Sequence, residues 1–157
     1  MLELCSGAGH IGLLAAHLTG RRLVCVDVSP AACELTRHNA RAAGLGDRVE
    51  VREGDMSAVL GADERFPLVI ADPPWVTSGE VGLHPEDPLL AIDGGADGLS
   101  LARTCLATAA AHLDPSGALL LQLGDAGQAD RLARDETALE LVETRQEERG
   151  VLTLWRR

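Results

Sequence analysis

The sequence predicts an α/β fold in which a doubly wound, mostly parallel sheet ends in an antiparallel hairpin. Apolar runs typical of strands alternate with helical patterns along most of the 157 residues, and this alternation is typical of parallel strands joined by right-handed crossover helices. The C-terminal run "ALELVETRQEERGVLTLWRR" instead contains two consecutive strand patterns around residues 148–150, which predicts the hairpin. A chain of this length favours one domain with one core.

The first predicted strand is short and lies directly before a glycine-rich loop. We expect this strand over residues 2–4, the loop from Gly7 to Gly9 and a helix over about residues 10–18. The run "RRLVCVDV" predicts a second strand that ends at Asp27. An acidic residue therefore ends the strand that follows the glycine loop.

The second predicted helix has clear start and stop signals. Ser29 is a suitable N-cap, and Pro30 takes the first helical position, where its missing N–H leaves no hydrogen bond unmade. Gly44 predicts a left-handed end to this helix. The runs "RVEVREGD" and "FPLVIADPPW" predict a third and a fourth strand, the latter with a buried run at residues 68–71.

The second half of the chain predicts a long loop, two helices and three strands. Residues 76–97 show no regular pattern, and an irregular segment of this length is often functional. Residues 115–117 predict a turn before the strand "ALLLQL", and a polar helix is expected over about residues 126–133. The helix between the loop and the turn has one apolar stripe at helical spacing, formed by Leu99, Ala102, Leu106, Ala109, Ala110 and Leu113.

Composition and charge disfavour several classes of protein. The chain is 46% hydrophobic and 24% charged, but no run approaches the roughly 18 apolar residues of a membrane span. Glu3 interrupts the N-terminal apolar run, which lacks the basic start of a signal peptide, so we expect a cytoplasmic protein. The net charge of −10 disfavours nucleic acids as partners, because an acidic surface repels phosphates.

The four cysteines, Cys5, Cys25, Cys33 and Cys105, occur at no metal-ligand spacing. We therefore expect neither a zinc site nor a disulfide framework, and we interpret the cysteines as small buried thiols. All 14 basic residues are arginine, and alanine and glycine are abundant, a bias typical of GC-rich bacterial genomes.

The glycine loop suits more than one kind of ligand. "GAGHIG" matches the G-x-G-x-x-G pattern of dinucleotide sites, and Asp27 lies 20 residues after Gly7, where such sites have a ribose-binding carboxylate. Small loop residues and an acidic strand end suit other ribose-containing ligands equally well. The loop alone therefore leaves a dinucleotide-binding module open.

Two further features argue against a dinucleotide, and the first of them favours a cationic ligand. Glu3 lies four residues before Gly7, and a carboxylate there repels the phosphates of a dinucleotide but attracts an ammonium or sulfonium group. The segment Asp72-Pro73-Pro74-Trp75 follows the fourth predicted strand, and a nicotinamide enzyme has no general need for it.

Together these motifs resemble those of class I S-adenosylmethionine-dependent methyltransferases, in the series "ELCSGAG", Asp27 and "DPPW". The following segment "LLAIDGGADGLSLARTCLATAAAHLDPSGALLLQLG" is similar to the HemK-type peptide chain release factor glutamine N5-methyltransferases, whose catalytic motif is Asn-Pro-Pro-Tyr. The resemblance implies a Rossmann-like class I methyltransferase fold, S-adenosylmethionine as the cofactor, and methyl transfer to a planar amide or amino nitrogen.

The resemblance further implies an enzyme whose first expected acceptor is a glutamine of a release factor. The alternative within enzymes is an N-methyltransferase of a nucleobase or a small metabolite. From a different class, the alternatives are a dinucleotide-binding module and a non-catalytic S-adenosylmethionine-binding module. The sequence leaves the acceptor and the oligomeric state open.

Ligands of a doubly wound sheet bind at the carboxyl ends of its parallel strands, where the candidate residues converge. The resemblance implies that the glycines let the methionine and ribose parts lie against the backbone, that Asp27 accepts from both ribose hydroxyls, and that Glu3 lies near the methionine part. Asp55 would accept from the adenine amino group, and Met56 would cover the ring edge. An exposed strand-start carboxylate for Glu3 and a helix cap for Asp55 are the interpretations that need no ligand. The full set of expected cofactor contacts is Glu3, Cys5, Gly7, Ala8, Gly9, Asp27, Val28, Asp55, Met56 and Asp72.

The segment Asp72-Pro73-Pro74-Trp75 is expected to carry the chemistry, with no metal and no covalent intermediate. An amide or aromatic amino nitrogen is a poor nucleophile because its lone pair is delocalised. The Asp72 side chain and the Pro73 carbonyl can accept its N–H groups, and Pro73 and Pro74 preorganise these acceptors. Trp75 offers a flat face for a planar acceptor, unless it is a structural indole.

Asp72 stands where the HemK-type motif has asparagine, and this difference leaves the target nitrogen open. A carboxylate accepts hydrogen bonds as an amide oxygen does, but it adds negative charge and removes a donor. Asp-Pro-Pro-Tyr and Asp-Pro-Pro-Trp variants resemble those of adenine-N6 and related amino methyltransferases.

The histidines are interpreted without a catalytic role. His84 lies on the long loop, where a solvated residue is favoured over a substrate contact. His10, His17, His38 and His112 fall on predicted helices and are interpreted as surface or capping residues.

Residues 1–157 are interpreted as a single catalytic domain that begins within its first strand. The resembling family has an N-terminal helical domain that helps to grip the release factor, and this sequence lacks it. We expect this chain to bind its cofactor more weakly than a version extended upstream.

Overall fold

A computed structural model describes residues 1–135 and 138–157. Within these ranges seven strands form one sheet in the order β3-β2-β1-β4-β5-β7-β6. The strands are β1 (Leu2–Leu4), β2 (Leu23–Asp27), β3 (Val49–Glu53), β4 (Phe66–Ala71), β5 (Leu113–Leu123), β6 (Glu140–Glu147) and β7 (Gly150–Arg156). The strands β1 to β5 are parallel, whereas β7 is antiparallel to both β5 and β6. The predicted mostly parallel sheet with a C-terminal hairpin is confirmed.

The helices of the described ranges are α1 (His10–Thr19), α2 (Pro30–Ala42), α3 (Leu89–Ile92), α4 (Ser100–His112) and α5 (Ala126–Asp135). The start of α2 is as predicted, because the Ser29 side chain accepts a hydrogen bond from the Ala32 amide and Pro30 is the first helical residue. Gly44 follows this helix with φ of 68°, a left-handed conformation that glycine adopts without strain. None of the described helices is long and apolar enough to cross a membrane.

Helices cover both faces of the sheet, as a doubly wound fold requires. On one face, Leu106 of α4 and Leu132 of α5 belong to the same apolar cluster as Leu121 of β5. On the other face, Ala16 of α1 clusters with Leu23 of β2. The central strands are therefore shielded from water on both sides, whereas the edge strand β6 is largely exposed, and the accessible place for a ligand is the row of strand ends.

The helix predicted from the apolar stripe is α4, with one difference at each end. Leu99 is the residue before the helix, and Leu113 is already the first residue of β5. This strand begins before the predicted turn, since Leu113 pairs with Phe66 and the next pair joins Ala118 to Leu68. Residues 114–117 therefore form an irregularity within β5, at a proline that cannot donate to the sheet.

The prediction that residues 76–97 are wholly irregular is wrong. They contain a short 3-10 helix, Val81–Leu83, and the four-residue helix α3. The loop is closed by an isolated bridge between Val76 and Asp93, and by a hydrogen bond of 2.9 Å from the Ser78 amide to the carbonyl of Gly95. Because α3 has no buried residue, its sequence carries no apolar period that could have revealed it.

Candidate cofactor and acceptor site

A cleft lies at the carboxyl ends of β1, β2 and β4, where the fold predicts a ligand. It consists of two cavities with volumes of about 400 Å³ and about 200 Å³. Cys5, Asp27, Pro74 and Leu90 line both cavities, and we call the two together the strand-end cleft. Their combined volume is in the range of small-molecule sites.

The strand-end cleft brings together most of the residues that the sequence predicted for the site. Three predicted residues, Gly9, Pro73 and Trp75, do not line it. The loop over residues 76–97 contributes Leu90 and Ala91 of α3 to its outer wall, which sequence analysis did not foresee. The predicted residues that do line it are Glu3, Cys5, Gly7, Ala8, Asp27, Val28, Asp55, Met56, Asp72 and Pro74.

The glycine loop is held by β2 on one side and by α2 on the other. The Asp27 carboxylate accepts the Gly7 amide at 2.8 Å through Oδ2 and the Ser29 amide at 2.9 Å through Oδ1. From α2, the Thr36 hydroxyl donates to the Gly7 carbonyl at 2.8 Å, and the Asn39 side-chain amide donates to the Ala8 carbonyl at 2.9 Å. Each Asp27 oxygen keeps a lone pair, so the carboxylate is held in place and can still accept two hydroxyl groups.

Thr36 and Asn39 are contacts of the glycine loop that sequence analysis missed. The available signal was their spacing of three positions, which places two polar side chains on one face of a helix. The other residues of that face pack on the sheet. Polar side chains on such a face are expected to form hydrogen bonds with a neighbouring segment.

The two loop glycines are needed for different reasons. Both have positive φ, 52° at Gly7 and 77° at Gly9. A Cβ on Gly7 meets no protein atom within 4 Å, and Gly7 lines the strand-end cleft, so the open space beside its backbone fits a ligand. A Cβ on Gly9 would instead lie 2.7 Å from Cγ2 of Thr36. The lack of a side chain at Gly9 therefore serves the packing of α2, and its expected cofactor contact stays a prediction.

Glu3 is buried at the floor of the larger cavity, with 3% of its surface exposed. The interpretation as an exposed carboxylate is wrong, because β1 lies between β2 and β4 and all its residues are buried. Oε1 accepts the Gly12 amide at 2.8 Å, and Oε2 accepts the Cys25 thiol at 3.4 Å. Burial raises the pKa of Glu3 above its usual value, and these two hydrogen bonds offset only part of the effect.

We expect Glu3→Gln to raise the melting temperature at neutral pH. Because the pKa of Glu3 is raised in the folded protein, its contribution to stability is fully present below the unfolded-state pKa and is lost as the pH rises through the folded-state pKa. Glutamine stays neutral and retains an acceptor for the Gly12 amide. Melting temperatures between about pH 4 and about pH 8 should show an advantage of the variant that grows with pH. An advantage of the same size at every pH would contradict this account.

Gly12, the third glycine of the G-x-G-x-x-G pattern, makes room for the Glu3 carboxylate. A Cβ on Gly12 would overlap with Oε2 of Glu3 and lie 2.8 Å from its Cδ. We expect Gly12→Ala to destabilise the protein by about 1–3 kcal/mol, because a buried side chain must shift. Denaturant unfolding would measure this loss, with Gly79→Ala as the control, since a Cβ there meets nothing within 4 Å. Equal losses in both variants would show that Gly12 is not a packing constraint.

Asp55 and Met56 line the smaller cavity but also have structural partners. Oδ1 of Asp55 accepts both the amide and the hydroxyl of Ser57, at 2.8 Å and 2.7 Å, and these bonds lower the pKa of Asp55. Its Oδ2 accepts no hydrogen bond from a described residue. Met56 is 7% exposed, and the Cys105 thiol lies 3.8 Å from its sulfur. Met56 is therefore chiefly a core residue, whereas Asp55 combines the turn role with one free acceptor.

Asp72 follows β4 and lines the larger cavity. Its carboxylate accepts no hydrogen bond from any residue that the structure describes, unlike the other carboxylates of the site. Asp72 is solvent-exposed, yet the protein around its carboxylate desolvates it in part, which raises the pKa of Asp72, while the charge of His10 lowers it. Asp72 is thus an unpartnered acceptor facing the cleft.

His10 is a site residue that sequence analysis placed among the surface histidines. It is the first residue of α1 and lines the larger cavity. The signal that could have identified it is its position directly after the glycine loop. Residues at that point of an α/β fold lie at the ligand-binding edge of the sheet.

Trp75 borders a third cavity of about 270 Å³, which we call the Trp75 cavity. The indole packs on Gly124, where a Cβ would lie 2.5 Å from Cε3 of Trp75. The predicted flat face therefore does not line the strand-end cleft, although Asp72 and Pro74 of the same segment do. His84 also lines the Trp75 cavity, so the substrate contact considered for it would be made there.

Comparisons with known proteins identify the family of this chain. A family model described as a methyltransferase domain matches residues 1–79 of the 157. A ribosomal protein uL3 glutamine methyltransferase from Bradyrhizobium diazoefficiens is 41% identical over 129 residues, which are 79% of this chain and 40% of that protein. A release factor glutamine methyltransferase from Moorella thermoacetica is 40% identical over 130 residues, which are 79% of this chain and 46% of that protein. The chain thus spans less than half the length of these two relatives.

The fold is also shared with solved structures. TrmN from Thermus thermophilus has a TM-score of 0.75 to this chain at 21% identity, over 99% of this chain and 43% of that one. The two sequence relatives confirm the predicted resemblance to glutamine methyltransferases. The chain belongs to the methyltransferase domain family, whose model covers its glycine loop, Asp27 and Asp72, and it has the Rossmann-like class I methyltransferase fold.

Proposed function

We propose that this chain is an S-adenosylmethionine-dependent N-methyltransferase acting on the side-chain amide of a glutamine in a protein. The observation that carries the proposal is the Asp72 carboxylate, which faces the strand-end cleft and accepts no hydrogen bond from a described residue. The substrates named for the two relatives, a glutamine of a release factor and of ribosomal protein uL3, support glutamine as the acceptor. A release factor is our first candidate and uL3 the second, and either would place the enzyme in the cytoplasm.

The strand-end cleft is proposed to hold the cofactor, which supplies a methyl group activated by a sulfonium. Asp27 would accept from the ribose hydroxyls with the lone pairs that its two amide contacts leave free. The open backbone of Gly7 leaves room for the ligand, and Oδ2 of Asp55 would accept from the adenine amino group. Glu3 adds negative charge at the floor of the larger cavity, which favours a cationic group there.

Asp72 and the Pro73 carbonyl would hold the acceptor nitrogen. Neither accepts a hydrogen bond from a described residue, so both are available to the two N–H groups of a primary amide. Pro73 and Pro74 restrict the backbone between these acceptors and preorganise them. On gaining a methyl group the nitrogen must lose one proton, and the unpartnered Asp72 carboxylate, whose pKa is raised by partial desolvation, can accept it.

An amino group of a nucleobase or a small metabolite is the second candidate acceptor, and the identity of Asp72 favours it. Asparagine in the HemK-type motif can donate to an amide oxygen as well as accept from the nitrogen, whereas an ionised aspartate only accepts. An amino group without a neighbouring carbonyl would suit such a residue. The net charge of −10 makes a free nucleobase or metabolite more suitable than a nucleic acid.

Labelled methyl transfer distinguishes these acceptors. The protein would be incubated with S-adenosylmethionine carrying a deuterated methyl group, together with a release factor, uL3 or a set of nucleobases and nucleosides. We expect mass spectrometry to find the label on one glutamine of the release factor. Label on a nucleobase or nucleoside alone would select the second candidate. Binding of NAD without binding of S-adenosylmethionine would exclude both.

A further inference from the structure

We infer that Gln128 of α5 is a positioning residue for the acceptor site, because it holds the Trp75 carbonyl and thereby the segment from Asp72 to Trp75. The effect of this contact on methyl transfer rests on the proposed function. The contact itself is a property of the fold and can be tested separately.

Both ends of the Gln128 amide are used in a buried environment. The residue is 4% exposed. Its Nε2 donates to the Trp75 carbonyl at 2.9 Å, and its Oε1 accepts the Gly124 amide at 2.8 Å. Its own amide donates to Oδ1 of Asp125 at 2.8 Å, which fixes the first turn of α5. The side chain therefore cannot rotate without leaving buried polar groups unpaired.

Two glycines make room for this contact. A Cβ on Gly124 would lie 2.5 Å from Cε3 of Trp75 and 3.1 Å from Oε1 of Gln128. A Cβ on Gly98 would lie 2.5 Å from Nε2 of Gln128 and would overlap with the Trp75 carbonyl. Gly98 belongs to the "DGGADGL" part of the resemblance to the glutamine methyltransferases. In this chain the missing side chain of Gly98 lets its own loop and the Gln128 side chain both lie against the Trp75 carbonyl.

The contact bears on the chemistry because of what separates Trp75 from Asp72. Only Pro73 and Pro74 lie between them, and proline φ is restricted, so a shift of the Trp75 carbonyl is transmitted to Asp72. No described residue holds the Asp72 carboxylate by a hydrogen bond. Gln128 lines the Trp75 cavity but not the strand-end cleft, so it acts through the segment and not on the reacting groups.

Two substitutions of Gln128 test its side-chain hydrogen bonds with Trp75 and Gly124. Gln128→Glu keeps an acceptor for the Gly124 amide but cannot donate to Trp75 when ionised, and Gln128→Met keeps the volume but removes both hydrogen bonds. We expect kcat to fall by about tenfold to a hundredfold in both, because a small misplacement of a reacting group has an effect of this size. The Kd for S-adenosylhomocysteine should stay within about threefold of the wild type.

Gln122→Met is the matched control. Gln122 also donates its side-chain amide to a backbone carbonyl, that of Arg149 at 3.1 Å, but at the hairpin turn and away from the segment. This variant should keep the kcat of the wild type. A Gln128→Glu or Gln128→Met variant with the kcat of the wild type would overturn the inference.

A spectroscopic measurement tests the contact without any acceptor. The chain has two tryptophans, Trp75 and Trp155, so labelling with 5-fluorotryptophan gives two fluorine resonances, which Trp75→Phe assigns. In both Gln128 variants we expect the Trp75 resonance to move and that of Trp155 to stay. This result supports the inference even when no glutamine is methylated, in which case the proposed function alone fails. A Trp75 resonance that stays in place in both variants overturns the inference.

Discussion

Replacing Asp72 by alanine should abolish methyl transfer and leave cofactor binding nearly intact. The substitution removes both an acceptor for the nitrogen and a group that can take its proton, so kcat should fall by about a thousandfold or more. Cofactor binding should persist, because the Asp27 carboxylate, which two backbone amides hold in the cleft, is unchanged. Single-turnover transfer and the Kd for S-adenosylhomocysteine would measure the two effects.

Asp72→Asn separates the two functions of the carboxylate. Asparagine still accepts an N–H but cannot take a proton, and it is the residue of the HemK-type motif. Transfer within about tenfold of the wild type would show that orientation is the main contribution. A loss equal to that of Asp72→Ala would show that proton acceptance is required. Asp63→Ala, at an exposed aspartate between β3 and β4, is the matched control, and unaffected turnover in Asp72→Ala would refute the assignment.

Asp27→Ala should weaken cofactor binding by about a hundredfold or more. Two hydrogen bonds from ligand hydroxyls to a carboxylate contribute about 1.5–3 kcal/mol each. The substitution also removes the acceptors of the Gly7 and Ser29 amides, so the glycine loop loses its contact with the end of β2. Titration calorimetry with S-adenosylhomocysteine would measure the affinity, and thermal unfolding without ligand would measure the loss in the loop.

Thr36→Val is the comparison for Asp27→Ala. It removes the hydrogen bond from α2 to the Gly7 carbonyl but no group that faces the ligand. We expect a smaller loss of affinity than in Asp27→Ala. Equal losses would show that support of the loop, and not acceptance from the ligand, accounts for the effect of Asp27.

The parts of the fold that the sequence predicted are those set by local signals. The cap at Ser29, the left-handed Gly44 and the C-terminal hairpin each depend on residues close in the chain, and each is confirmed. The carboxyl ends of the strands also converge as predicted, because alternation of strands and helices dictates a parallel sheet. Most predicted site residues therefore reach the strand-end cleft.

The parts that could not be predicted depend on contacts between distant segments. Glu3 is buried because β1 pairs on both edges, and the sequence carries no signal for that strand order. The Trp75 carbonyl accepts its hydrogen bond from Gln128, which lies 53 residues later in the chain. The helix α3 has four residues, too few to show a helical period. The packing of Thr36 against Gly9 could not be predicted either, because nothing local indicates that these two residues meet.

The helix α3 has a consequence for how a molecule enters and leaves the strand-end cleft. It has no buried residue, and Leu89 and Leu90 are 62% and 64% exposed. Displacing α3 therefore exposes little apolar surface that is buried when the helix is in place. A molecule seated against Leu90 would bury some of that surface, at about 25 cal/mol for each Å². The outer wall would thus gain apolar contact from an occupant that the core does not provide, and displacing α3 breaks none of the hydrogen bonds that hold the glycine loop.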